Sequence, residues 1–343
     1  MPNATRRFHA DRLRLPFLLL SLAGGTAHTA TNYAFEQHVH AIGQGSRFGD
    51  ALALSGGTLV AVDSDANGND AYLFVRGSGT WLLQQAIDLP GWTPQPTITA
   101  NAHARGRVAL SGDTLAVGSP GDNIGGLADV GSVRIYQRSG AIWSLQQRID
   151  RPAAPSVTGN FGASVAIEGD RLVVGAPGRT AYGRGAVYHY VRTGSSWSLA
   201  SSISPPAELG RSFGQAVALA GDRLVVGIPD VRRAMAYRRV GADWQNEAIF
   251  SPTSTDPTIA FGGAVAVTGD YAFVSAPTGQ APDGRAVHVY YRSGGNWGLT
   301  QRLGPVGANR FGAGLAVLGT RLAVADPDQL DPVTQRRGRV HVY

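Results

Sequence analysis

The chain repeats itself, and that limits what it can fold into before any single motif is weighed. Phe161-Gly-Ala-Ser-Val-Ala-Ile-Glu-Gly-Asp-Arg-Leu-Val-Val-Gly-Ala-Pro177 returns as Phe213-Gly-Gln-Ala-Val-Ala-Leu-Ala-Gly-Asp-Arg-Leu-Val-Val-Gly-Ile-Pro229, and again from Phe261 to Pro277 and from Phe311 to Pro327. Two earlier copies are degenerate. One runs from Phe48-Gly49 to Val62 without the closing Ala-Pro; the other lacks Phe-Gly but runs from Val108 through Gly112-Asp113 to Pro120. Six units, starting near residues 48, 104, 161, 213, 261 and 311, account for the chain beyond residue 30.

Four strands are expected in each unit. Val165-Ala-Ile is the first, and Gly169-Asp170 is a two-residue turn suited to a twisted hairpin. Arg171-Leu-Val-Val-Gly is the second, its unbroken apolar run implying burial on both faces. After a variable loop, Gly185-Ala-Val-Tyr-His-Tyr-Val-Arg192 has the aromatic and β-branched content of a third strand. Trp197-Ser-Leu-Ala-Ser-Ser-Ile203 alternates like a half-exposed outer one. Four antiparallel strands repeated radially make a propeller blade, so the expected fold is all-β, a six-bladed β-propeller. The sixth unit stops after its third strand at Tyr343, while Tyr33-Ala-Phe-Glu-Gln-His-Val39 aligns with the fourth-strand segment Trp297-Gly-Leu-Thr-Gln-Arg-Leu303. The expectation is that this N-terminal strand closes the last blade and removes an aggregation-prone edge.

Recurring Phe-Gly, then Gly-Asp-x-Leu-Val-Val-Gly-Ala-Pro, then Gly-x-Val-Tyr-x-Tyr resembles the FG-GAP repeat of integrin α-subunit head domains and of bacterial exported proteins. The resemblance covers about residues 33–343 and implies a propeller used for extracellular adhesion or ligand binding. Two departures stand out: the integrin head has seven blades, and its calcium loops fall where this chain has only Gly169-Asp170, Gly221-Asp222 and Gly269-Asp270.

Gly is abundant (46) and charged residues make up 16%, as suits short strands and tight turns. Arg6, Arg7, Arg12 and Arg14 precede the apolar run Leu15 to Ala23 and then small residues to Ala27 and Ala30, the pattern of an export signal over residues 1–30 followed by a single domain, 31–343. A secreted or periplasmic location is therefore expected. The apolar run is about half the roughly 20 residues a spanning helix needs, so no membrane span is expected. With no cysteine, the chain must be held by its own core. Residues 1–30 hold four of the 30 basic and one of the 24 acidic residues, which leaves 26 against 23 and gives no sign of nucleic-acid binding.

Strand polarity places the loops joining strands two to three, and blade to blade, on one face; the short hairpins lie on the other. The variable loops hold Asp122 to Asp129, Arg179, Tyr182, Arg184, Arg232, Arg233, Asp283, Arg285 and the segment from Asp326 to Arg337. Recognition concentrates on variable loops held by a rigid scaffold. Trp92, in a proline-rich connection outside the repeat, is an aromatic suited to a sugar ring or a protein partner. The other five tryptophans start fourth strands and are expected to pack between blades. Asp63, Asp65, Asn67 and Asp70 place oxygens around Gly68 as a hard cation requires. No cofactor is expected, with calcium at that stretch as the alternative to an Asx-rich turn.

Gly210-Arg-Ser-Phe-Gly214 matches a nucleophile elbow but lacks the strand and helix that mechanism needs. His288 and His341 fall in a periodic strand slot shared with Tyr188 and Arg134. The first strands are small and apolar, so the axis lacks the paired carboxylates of propeller hydrolases and lyases. The expected function is a monomeric, non-catalytic adhesion or binding module for an extracellular or envelope protein or glycan. The alternatives are a propeller hydrolase or lyase acting on carbohydrate, and an envelope scaffold.

Overall fold

The computed structural model describes residues 51–64, 69–89, 107–152, 159–178, 184–209, 212–280, 282–304, 310–319, 321–330 and 337–343. The expected export signal, the closing strand Tyr33–Val39 and Trp92 lie outside the described residues.

Six antiparallel sheets follow one another along the chain, each drawn from one repeat. They are β1 (Ala51–Ser55), β2 (Thr58–Ser64), β3 (Asn69–Arg76) and β4 (Trp81–Asp88); β5 (Val108–Ser111), β6 (Thr114–Ser119), β7 (Ser132–Ser139) and β8 (Ile142–Asp150); β9 (Ser164–Glu168), β10 (Arg171–Ala176), β11 (Ala186–Thr193) and β12 (Ser196–Ile203); β13 (Ala216–Ala220), β14 (Arg223–Ile228), β15 (Arg233–Val240) and β16 (Asp243–Phe250); β17 (Val265–Thr268), β18 (Tyr271–Ala276), β19 (Ala286–Ser293) and β20 (Asn296–Leu303); and β21 (Gly314–Leu318), β22 (Arg321–Leu330) and β23 (Arg337–Val342). This is a six-bladed propeller, and the described residues contain no α-helix. The strands match expectation to within a residue or two, except that β22 extends through Asp326 to Leu330, which pairs with Arg337 and shortens the loop expected there.

The first strands of consecutive blades lie side by side, and the repeat residues explain how. Phe161, Phe213, Phe261 and Phe311 are fully buried, Phe161 meeting Tyr188 edge-on at 5.4 Å. Each following glycine has φ near +90°, and three of them lie against the second-strand glycine of the preceding blade: Gly162 on Gly118, Gly214 on Gly175, Gly262 on Gly227. In these three pairs a Cβ at either partner would run into backbone, whereas the fourth, Gly312, packs against the Cβ of Ser275. The Gly-Asp turns also use the left-handed region at their first residue, Gly112 at +56°, Gly169 at +57°, Gly221 at +55° and Gly269 at +51°, as hairpins with Gly first demand.

Two features of the blades are invisible in the strand pattern. The turn aspartate binds the arginine that ends strand three of its own blade: Arg192 Nε donates to Asp170 Oδ1 at 2.6 Å and Arg138 Nε to Asp113 Oδ1 at 2.6 Å. These arginines also lie over the blade's tryptophan, Arg138 at 5.4 Å from the Trp143 ring and Arg192 at 5.6 Å from Trp197. Secondly, every four-stranded blade has a register shift between strands three and four, as between His189 and Tyr190 and between Ile135 and Tyr136. The extra residue is Gln84, Gln146, Ala200, Glu247 or Thr300, and such a bulge re-aims its side chain.

Candidate functional site

The pairing register places the ends of strands two and four, the starts of strand three and the Phe-Gly segments on one face. Among the described residues, all five non-glycine residues with positive φ lie on this face: Asp129 (55°), Asn160 (50°), Ser212 (53°), Arg232 (54°) and Arg285 (54°). Arg232 and Arg285 immediately precede the residues opening strand three, the place held by Gly131 at φ +88° in the second blade. A bulky side chain in the left-handed region stores roughly 1–3 kcal/mol of strain, a recurrent mark of functional loops.

The arginine candidates divide by environment. Arg184 and Arg285 are exposed; Arg232 and Arg233 are half-buried. Arg232 donates from Nη1 to the Asp256 carbonyl at 2.8 Å, and Arg233 donates to the Arg232 carbonyl at 2.9 Å. Asp256 is itself a loop organiser, its carboxylate accepting Thr258 N–H at 2.8 Å and Gln280 N–H at 3.1 Å. Hydrogen bonds from the Thr258 hydroxyl and backbone hold its carboxyl below the usual range. Arg179 and Tyr182 lie outside the described residues.

Asp122 and Asp283 differ from expectation. Both sit on the loop face in sequence, yet both are buried, at 6% and 1% exposure. Asp122 accepts the Ser132 hydroxyl at 2.5 Å and Arg134 Nη2 at 3.0 Å, with Arg148 at 3.6 Å. Asp283 accepts Thr253 Oγ1 at 2.6 Å, Ser254 N–H at 2.5 Å and Arg302 Nε at 2.9 Å. The two clusters occupy equivalent places, because Arg134 pairs with Arg148 as His288 pairs with Arg302. Burial pushes the Asp283 carboxyl up, but the Thr253, Ser254 and Arg302 contacts outweigh it and hold it below the usual range. These carboxylates brace the loops from inside, while Arg148 and Arg302 reach toward the surface. Asp129 is half-buried: its N–H donates to Asn123 Oδ1 at 3.1 Å, and its carbonyl accepts Gly159 N–H at 3.2 Å and Asn160 N–H at 3.1 Å.

His288, in the periodic slot, is fully buried. Its Nε2 lies 3.0 Å from the Asp283 carbonyl, and its ring meets Phe261 edge-on at 5.0 Å. Burial lowers its pKa.

Of the cation candidates, Asp65 and Asn67 lie outside the described residues. Asp63 and Asp70 stand directly opposite across β2 and β3, and Asp63 Oδ1 is buried without a hydrogen-bond partner. Like charges placed opposite are destabilising, and a hard cation would relieve them. Among the described residues, no three His, Asp or Glu side chains converge as a metal site would require.

Residues 152–190 match the family model for the FG-GAP repeat. That span begins before β9 and ends within β11, and the same residues recur in the propeller's other units. The chain is an FG-GAP β-propeller protein. The FG-GAP propeller is similar in structure to a Lactobacillus plantarum protein solved by a structural genomics consortium, with a TM-score of 0.58 at 15% identity over 85% of this chain and 84% of that one. It is also similar to a Bacteroides fragilis protein provisionally named a 6-phosphogluconolactonase, with a TM-score of 0.53 at 11% identity over 84% and 82% of the two chains. At such identities the likeness is one of fold. No curated protein matches the sequence. No helix among the described residues is long and apolar enough to cross a membrane.

Proposed function

We propose that the FG-GAP propeller is an exported, non-catalytic binding module, periplasmic or secreted, that recognises a protein or glycan through its loop face. The observation that carries this reading is the pair of arginines, Arg232 and Arg285, held at φ 54° where glycine would be unstrained. At the exposed Arg285, strain kept at a surface position supports a binding role for the side chain, while the half-buried Arg232 also holds the Asp256 carbonyl. The axis supports the same reading: the first strands Ala51–Ser55, Val108–Ser111, Ser164–Glu168, Ala216–Ala220, Val265–Thr268 and Gly314–Leu318 carry one acidic residue, Glu168, and no histidine. Glu168 is already engaged with Arg171 at 2.9 Å and with Gly221 N–H at 2.8 Å.

A panel of neutral and acidic glycans, read by calorimetry and by thermal denaturation with calcium or a chelator, tests the proposal. The R184A/R232A/R233A variant is expected to lose about tenfold or more in affinity for the panel's best binder, with its melting temperature within a few degrees of the parent. Unchanged affinity overturns the loop-face reading. A chelator-induced drop in melting temperature would assign a cation to Asp63 and Asp70, and its absence would remove calcium.

A further inference from the structure

The outer seams between blades are stitched by fourth-strand side chains that reach to the next blade's tryptophan. From β4, Gln85 Oε1 accepts the Trp143 backbone N–H at 2.7 Å, and Gln85 Nε2 donates to the Trp143 carbonyl at 2.9 Å. The bulged Gln84 accepts the indole Nε1–H of Trp143 at 3.1 Å. The next seam repeats the clamp: Gln147 accepts Trp197 N–H at 2.7 Å and donates to its carbonyl at 3.0 Å. Between blades four and five, the bulged Glu247 accepts Trp297 Nε1–H at 3.1 Å.

The seam between blades three and four lacks this stitch. The residues at the two glutamine places are Ala200 and Ser201, and neither reaches Trp244. Ser201 Oγ, Trp244 Nε1 and both ring nitrogens of His189 are buried without a hydrogen-bond partner, although His189 packs edge-on against Trp244 at 5.5 Å. Buried polar atoms without partners are rare, and each typically costs about 1–3 kcal/mol. Along the same seam lies a cavity of about 570 Å³, lined by Ser201, Pro205, Met235, Tyr237, Trp244 and Ile249 among others. Tyr237 offers its hydroxyl only to the weak acceptor Met235 Sδ, at 3.4 Å, and Ile249 is 49% exposed at the cavity.

We propose that this seam is a second binding site, on the rim and reaching the blade-to-blade connection at Ser204, Pro205 and Pro206, which takes a glutamine side chain presented by a peptide partner. The fold itself shows what fits there. A carboxamide is the group that both accepts from the tryptophan N–H and donates to its carbonyl in the two preceding seams. Here the chain omits that group and leaves open space with an apolar wall. A carboxylate would supply the acceptor but no donor for the Trp244 carbonyl, so a neutral amide is favoured.

The test uses the mature protein and an acetylated, amidated peptide with the sequence of residues 82–87, Leu-Leu-Gln-Gln-Ala-Ile, followed by calorimetry. The wild-type protein is expected to bind it, and a peptide with both glutamines replaced by alanine is expected to bind at least about tenfold more weakly. S201Q, which returns the missing stitch in cis, is expected to raise the melting temperature and abolish peptide binding. S202W, on the exposed lip, blocks the cavity without touching the core and should also abolish binding. The proposal is overturned if the two peptides bind equally, if neither binds at millimolar concentration, or if S202W binds like the parent. None of these outcomes depends on the loop-face arginines.

Discussion

Arg285 shows how a single residue reports on function. It is exposed and its φ of 54° favours glycine, so R285G should keep or slightly raise the melting temperature while weakening loop-face binding, a trade of stability for recognition. A clear loss of stability would mean that the side chain holds the fold instead. Asp283 carries the opposite lesson. Its position between strands two and three looked like that of a ligand-facing carboxylate, because spacing alone does not show that Thr253 from the preceding connection and Arg302 from β20 converge on it. The histidines add a pH dependence. Burial, first of all, holds His189 and His288 below the ordinary histidine value of 6.5; Arg239 and Arg171 add to the effect at His189, and at His288 it outweighs the opposing pull of Asp283. The unfolded chain then binds more protons, so stability is complete above about 6.5 and falls as pH drops toward the depressed folded values. Melting temperature should decline between about pH 7 and pH 5, and H189F/H288F should flatten the decline; a flat parent profile would contradict it. Asp283, also depressed, adds a further loss below the ordinary aspartate value of 3.8.

At the level of elements, strands and turns were legible because hydrophobic pattern and Gly-Asp turns carry local information. The bulge was not legible, since an extra residue in strand four leaves the alternation on either side intact. Its consequence is energetic: Gln85 clamps the Trp143 backbone while the bulged Gln84 takes the Trp143 indole, and in the next seam Gln147 repeats the backbone clamp whereas Gln146 Oε1 and Trp197 Nε1 are buried without partners. Q147A should lower stability by about 1–2 kcal/mol by leaving Trp197 N–H and its carbonyl without partners. Denaturant titration checks this, and an unchanged midpoint would remove the stitch from the account of how blades cohere. The turn aspartates had the look of turn formers alone; their bonds to Arg138 and Arg192 appear only when the end of strand three is brought beside the first hairpin.

For the whole molecule, the repeat supplied the architecture almost completely: blade number and strand order follow from six copies of one phrase. The loop face was placed correctly by strand polarity, but its chemistry depended on tertiary pairing, which turned two carboxylates inward and left arginines outside. The result is a rigid wheel whose faces differ, one tied down by Asp–Arg pairs at its hairpins and one carrying strained, cationic loops. Hydrogen–deuterium exchange of the protein, with and without the tightest member of the glycan panel, tests that division most directly. The account predicts new protection in residues 121–131, 229–233 and 282–285 and none at the turns Gly169-Asp170, Gly221-Asp222 and Gly269-Asp270. Protection confined to the first strands around the axis, or to those turns, would contradict it.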